Sequence, residues 1–297
     1  LLGDAKSDAA YEVRAASVLA DARSASAFAK DRHIGVRICV AESFAAQKTK
    51  PAALALVELL AGESEACARW RMVDLLQQLS GLKHRLDARP WRDWANALAD
   101  DWSGATAKPS EDGAAADKTV TFAGLPILSG HVCFVIDLSG SVWDANAQGK
   151  TPKQAIDEEL RKTLAALGPE VEFNLIPYTS NPLPWEKSVV PANAKNVGRA
   201  LDYFIGRRDT GKGNFWDALL LALEDPKVDT VVMFGDGAPT GGRRWNLGLM
   251  KQLFAEHNRF RRVVLNAVLA DANKRNAKEW VEMCASSGGR VVEISLK

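Results

Sequence analysis

The run DLSGS, residues 137–141, places an acid and two hydroxyls on alternate positions: Asp137, Ser139 and Ser141, with Gly140 between the serines. Carboxylate and hydroxyl oxygens are hard donors, and a donor set without His or Cys suits Mg²⁺ or Mn²⁺ rather than zinc or copper. A second acid, Asp236 in MFGDGAP, closes another apolar run in the same way. The other chemistry-bearing residues do not assemble into a motif. None of His33, His84, His131 and His257 has an acid or nucleophile at a catalytic spacing, and the four cysteines, Cys39, Cys67, Cys133 and Cys284, stand alone and read as buried free thiols. GRRDTGKG, residues 206–213, imitates a phosphate-binding loop, but it ends on Gly213 where a Ser or Thr would meet Mg²⁺, and it follows an amphipathic helix instead of a strand. No G-x-S-x-G elbow occurs, and no G-x-G-x-x-G follows the first strand. The chain reads as a binding protein, not an enzyme.

For the oxygens to meet, something must aim them at one place. HVCFVID, VEFNLIPY, DTVVMFGD, RRVVLNAVLA and RVVEISL are short, β-branched, apolar runs separated by helical segments. The helices carry end signals: Thr151-Pro152-Lys153-Gln154 is a capping box with proline at the first position, and Asn214 caps FWDALLLALED ahead of the Asp225-Pro226 stop. Alternating strands and helices predict a doubly wound α/β fold with a mainly parallel sheet covered on both faces. Ligands of such sheets sit beyond the carboxyl ends of the strands, where Asp137 and Asp236 fall.

The first third of the chain differs. From Tyr11 to Asp101 Ala, Leu, Arg and Glu dominate, and apolar residues recur at helical spacing without strand-like alternation. VRAASVL from Val13 is echoed by VRICVA from Val36 and more loosely by ARWRMV from Ala68, which predicts stacked helix pairs. Trp91, Trp94 and Leu98 share a helical face that would cap the stack. Between the regions, SGATAKPSEDGAAADK is small, polar and turn-rich, a linker. The expected division is a helical domain over 1–102, a linker over 103–118 and an α/β domain over 119–297. With 297 residues, 47% of them hydrophobic, both domains can bury a core, and a net charge of +1 leaves any charge-based function local. No apolar run approaches the ~20 residues of a membrane span.

DLSGS resembles the D-x-S-x-S signature that opens the metal-ion-dependent adhesion site of the von Willebrand factor A domain, and GDGAPT, residues 235–240, resembles that family's later acidic loop. The order of elements from 131 to 297 is similar throughout, while the helical region more weakly resembles HEAT repeats. The resemblance implies a Rossmann-like sheet whose rim holds Mg²⁺ or Mn²⁺: Ser139 and Ser141 through their hydroxyls, Asp137 directly or through water, Asp236 mostly through water. One position stays open for the carboxylate of an acidic protein partner, and the helical repeats would offer a second protein contact. The third loop departs from the family pattern. Where a threonine commonly precedes the N-x-x-D-A-L helix start, Gly213 stands before Asn214; Thr210 lies three residues early and either reaches in through Gly211 and Gly213 or leaves the site one ligand short. Lys212 in the same loop could instead place an ammonium there. Weakened metal binding is the expectation.

Each site loop also carries a tryptophan, and aromatics with arginines are common anchors of binding surfaces. Trp143 and Trp245, with Arg243 and Arg244, are the candidate partner-binding rim, whereas Trp216 opens a helix and reads as core. A rival reading is RNA binding, because helical repeats followed by an A domain are similar to the Ro autoantigen family. Residues 1–130 carry 16 basic and 17 acidic side chains, which does not provide the positive stripe that phosphate neutralisation requires.

Overall fold

The computed structural model describes residues 5–104, 120–145, 149 and 151–295; most of the expected linker lies outside them. The chain divides into two units, Leu1–Asp117 with Arg259–Arg262, and Lys118–Asn258 with Val263–Lys297.

The first unit is helical: α1 (Tyr11–Ala20), a 3₁₀ turn (Ala22–Phe28), α2 (Ile34–Gln47), α3 (Lys50–Gly62), α4 (Ala66–Ser80) and α5 (Ala88–Ala97). Polar caps set the boundaries. The Thr49 hydroxyl accepts from Ala52 N ahead of Pro51, and Gly81 ends α4 in the left-handed conformation. α2 packs on α1, α3 and α4, while α3 also packs on α4 and α5, so the helices surround one core. Val36, Leu56, Met72, Leu76 and Trp91 are fully buried in that core, and Trp94 and Leu98 pack against it. Each of these helices is too short to be stable alone in water, so the shared apolar face holds them.

The second unit contains β1 (Thr121–Phe122), β2 (Leu125–Pro126), β3 (His131–Asp137), a 3₁₀ turn (Gly140–Trp143), α6 (Pro152–Ala166), β4 (Glu172–Tyr178), β5 (Val190–Pro191), α7 (Ala194–Ile205), α8 (Phe215–Glu224), β6 (Thr230–Gly235), α9 (Leu247–His257), β7 (Val264–Ala270), α10 (Lys274–Ala285) and β8 (Val291–Ile294). All five apolar runs identified in the sequence are strands. The main sheet has the order β5-β4-β3-β6-β7-β8, parallel except for the antiparallel edge strand β5. The β1–β2 hairpin and β5 contribute two residues each, too few for alternation to announce them.

Side chains alternate across the sheet as the strand period requires. Cys133 and Val135 enter the core shared with Phe215, Leu219, Met250 and Trp280, while Val132, Phe134 and Ile136 enter the opposite core with Ile156, Leu160 and Phe204. Both faces are covered, which is why the strands read as continuous apolar runs. The capping box of α6 forms as expected, as does the Asn214 cap of α8. Among the described residues no helix is long and apolar enough to cross a membrane.

Candidate metal centre

The long parallel strands, taken in chain order, lie in the sheet as second, first, third, fourth and fifth, so the winding reverses between β3 and β6. Crevices at such reversals are where open α/β sheets take ligands. The loop after β3 and the loop after β6 both end there, one carrying Asp137, Ser139 and Ser141 and the other Asp236.

Local hydrogen bonds shape each loop. Ser139 N donates to Asp137 Oδ1 at 2.7 Å, and Ala238 N donates to Asp236 Oδ1 at 2.9 Å, so both acids fold their own chain into an Asx turn. Leu138 N donates to Tyr178 O at 2.8 Å, tying the first loop to the end of β4. From α10, Trp280 Nε1 donates to Gly237 O at 3.0 Å and steadies the acidic loop.

These turns bring oxygens together. The Ser139 and Ser141 hydroxyls are 3.4 Å apart, and the Ser141 hydroxyl donates to Asp236 Oδ2 at 3.0 Å. Adjacent ligands of an octahedral Mg²⁺ with bonds of about 2.1 Å stand ~3.0 Å apart, so this edge has the right dimension for a small hard dication. The donors are two carboxylates with hydroxyls; among the described residues no group of three or more His, Cys, Asp or Glu is placed to hold a metal, which removes a zinc-like set from consideration.

Asp137 is 2% exposed, and Ser139, Asp236 and Tyr178 act on its carboxyl. Burial pushes its carboxyl up to about 6 and the Asp236 charge adds to the push, while the Ser139 N–H, the Ser139 hydroxyl and the Tyr178 hydroxyl pull the other way. The Tyr178 phenol is in turn held well above its ordinary range by burial and by both carboxylates. Tyr178 lies in register with Asp137 across the β3–β4 pair. Gly235 makes room for both, since a Cβ there would lie 2.8 Å from Asp137 Cβ and 3.3 Å from the Tyr178 hydroxyl.

Asp137, Ser139, Ser141 and Asp236 therefore share one rim. The third loop reaches the same rim through Gly140 N, which donates to Gly211 O at 3.0 Å. Thr210 is exposed, with its hydroxyl 3.9 Å from where a Cβ on Gly140 would be. Gly213 faces Asp137 instead, 3.7 Å separating Asp137 Oδ2 from the Cβ that the glycine lacks. Lys212 is exposed, and its backbone N donates to Ser180 Oγ.

Of the candidate rim residues, Trp245 is 68% exposed and Arg244 is exposed; Arg243 pairs with Asp217 at 3.2 Å. Trp143 is half-buried, its indole N–H donating to Leu138 O at 3.3 Å and its ring facing the Lys153 ammonium at 5.8 Å, so it braces the first loop from the side. Trp216 is buried in the core. Sequence patterns did not single out Tyr178, Gly235, Trp280 or Thr240. An aromatic closing the second strand, directly after an apolar run, was the available signal for Tyr178.

The strand order, the crossover helices and the oxygen-bearing loops at the winding reversal are those of a von Willebrand factor A-type fold. Over 131 residues, 40% of this chain, the sequence is 34% identical to inter-alpha-trypsin inhibitor heavy chain H4 of Homo sapiens, covering 13% of that protein. Heavy chain H2 of Homo sapiens is 31% identical over 124 residues, 38% of this chain and 12% of that one. The matched stretch thus spans only about an eighth of either relative. A solved von Willebrand factor type A protein from Catenulispora acidiphila superposes with a TM-score of 0.46 at 15% identity, covering 57% of this chain and 40% of its own. No family model matches the sequence.

Proposed function

We infer that the α/β unit, a von Willebrand factor A-type fold, is a non-enzymatic protein-binding module that grips an acidic partner through a divalent cation. Ser139 and Ser141 would hold Mg²⁺ or Mn²⁺ by their hydroxyls, with Asp137 and Asp236 supplying the negative charge. When bound, the ion supplies a fixed positive charge open to a partner's carboxylate. Trp245 and Arg244, exposed near the third and acidic loops, suit an acidic partner with apolar surface; Arg243 and Trp143 shape the same rim. The helical unit, read as HEAT-like repeats, would provide a second protein contact.

The observation that carries this reading is the convergence of the Ser139, Ser141 and Asp236 oxygens, 3.0 to 3.4 Å between neighbours, beside the buried carboxylate of Asp137. Calorimetric titration of the full chain with MgCl₂ and MnCl₂ tests it. Saturable heats that vanish in Asp137→Ala are expected; identical heats from both proteins would remove the cation from the account.

A further inference from the structure

The third loop and the acidic loop are stapled together around Gly213. Gly213 N donates to the Thr240 hydroxyl at 2.8 Å, and Gly213 O accepts from Thr240 N at 3.0 Å and Gly241 N at 3.2 Å. Gly213 has no positive φ, so its lack of a side chain is not demanded by the backbone. Nor is it demanded by crowding. A Cβ at this position would have as its nearest neighbours Ala238 O at 3.4 Å, Thr240 Oγ1 at 3.5 Å and Asp137 Oδ2 at 3.7 Å, all at ordinary contact distance.

Those three neighbours are a carbonyl, a hydroxyl and a carboxylate oxygen, the donor types that hard dications select. Two hydroxyls thus compete for the role that Gly213 cannot fill. Thr210 Oγ1 is not among the three nearest atoms to a Cβ on Gly213 and lies 3.9 Å from one on Gly140, whereas Thr240 Oγ1 and Asp137 Oδ2 both border the point that a side chain on Gly213 would occupy. A threonine hydroxyl has two lone pairs, so accepting from Gly213 N leaves Thr240 Oγ1 one more to offer.

We propose that Thr240, carried on the acidic loop, is a cation-binding residue of this centre and takes the place of the hydroxyl that the third loop lacks at Gly213. The proposal rests on reading Asp137, Ser139, Ser141 and Asp236 as a cation site. Its consequence is that the acidic loop contributes at two positions, Asp236 and Thr240, while Thr210 is dispensable.

The test is calorimetric titration of MnCl₂ into the full chain and its Thr240→Val, Thr240→Ser, Thr210→Val and Gly213→Thr/Thr240→Val variants, with a thermal melt of each in EDTA to establish folding. Thr240→Val is expected to weaken Mn²⁺ by about tenfold or more, Thr240→Ser and Thr210→Val to bind as the native chain does, and the double variant to recover affinity through the new third-loop hydroxyl. Native-like binding by Thr240→Val, with binding lost in Asp137→Ala, would overturn the proposal and leave the cation site standing. So would weak binding by Thr240→Val that neither the serine nor the added threonine restores, since Thr240 would then act only by stapling the loops. Absence of Mn²⁺ heats from the native chain would remove the cation site itself, and the proposal with it.

Discussion

Both units bury carboxylates, and they neutralise them differently. In the helical unit Asp31 meets Arg14 through two hydrogen bonds at 2.7 and 3.0 Å, and Glu63 meets Arg37 at 2.7 and 2.9 Å. Burial pushes the Asp31 carboxyl up, but the Arg14 hydrogen bonds, the His33 N–H and the Arg14 charge outweigh it and hold the group below its ordinary range. In the α/β unit Asp137 is more deeply buried; hydrogen bonds from Ser139 and Tyr178 pull its carboxyl down, but burial and the charge of a second acid, Asp236, outweigh them and hold it above its ordinary range. A buried acid with its arginine in place is a structural element, complete within the fold. A buried acid that shares its rim with a second acid and two serine hydroxyls carries a charge that no built-in arginine pair among the described residues is shown to balance, which is the position the proposed cation would fill.

The largest expected break in this contrast comes from removing the counterion where it is already built in. Arg14→Ala strands Asp31 and also removes donors to the carbonyls of Asp8 and Ala9, so a loss of about 3–5 kcal/mol is expected in urea unfolding. A loss below ~1 kcal/mol would mean that the pair is as weak as a surface bridge.

The opposite sign is expected at Asp137. Its folded-state pKa of about 6 lies above the ordinary 3.8, so the folded chain holds an extra proton between those values, and metal-free stability falls as pH rises from about 4 to 6. Asp31, lowered, contributes stability above its unfolded value and loses it as pH falls through the folded one. In EDTA at pH 7, Asp137→Asn is therefore expected to stabilise the chain by up to ~3 kcal/mol and to flatten the rise in stability from pH 6 to 4. Added Mn²⁺ should raise the melting temperature of the native chain and leave that of the variant unchanged. A variant that melts lower than native in EDTA would show that the buried charge is already compensated.

Gly235→Ala comes next. Its new methyl would press on Asp137 Cβ at 2.8 Å and Oδ2 at 3.0 Å, and overpacking of this kind costs about 1–3 kcal/mol. It should lower Mn²⁺ affinity as well, since Asp137 must shift; unchanged melting and unchanged affinity would show that the strand ends yield freely. The smallest effect belongs to Trp245→Ala. With 68% of its surface exposed, its removal should change stability by less than ~0.5 kcal/mol in either direction. A clear loss in the same urea unfolding experiment would assign the indole to packing instead of recognition.

The sheet and its oxygen-bearing loops were legible because four of the five long strands are apolar runs that end on or run straight into an acid or aromatic, Asp137, Tyr178, Asp236 and Asp271, and because DLSGS compresses three donors into five residues. Capping residues such as Thr151 and Asn214 marked helix starts for the same local reason. What escaped was set by tertiary approach. Tyr178 reaches Asp137 through strand register, and Thr240 reaches Gly213 across 27 residues of chain. Gly235 looks like any strand glycine until the atoms its Cβ would meet are known. The departure at Gly213 was visible, but whether Thr210 or another hydroxyl answers it depends on how two loops fold against each other.

Electron paramagnetic resonance of Mn²⁺ tests most directly whether the buried charge of Asp137 is balanced by a bound cation. Titrating MnCl₂ at pH 7 against the full chain and Asp137→Asn, the free-ion signal should be suppressed by one equivalent per native chain and by none in the variant. Equal suppression by the two proteins, or none by either, would contradict that balance.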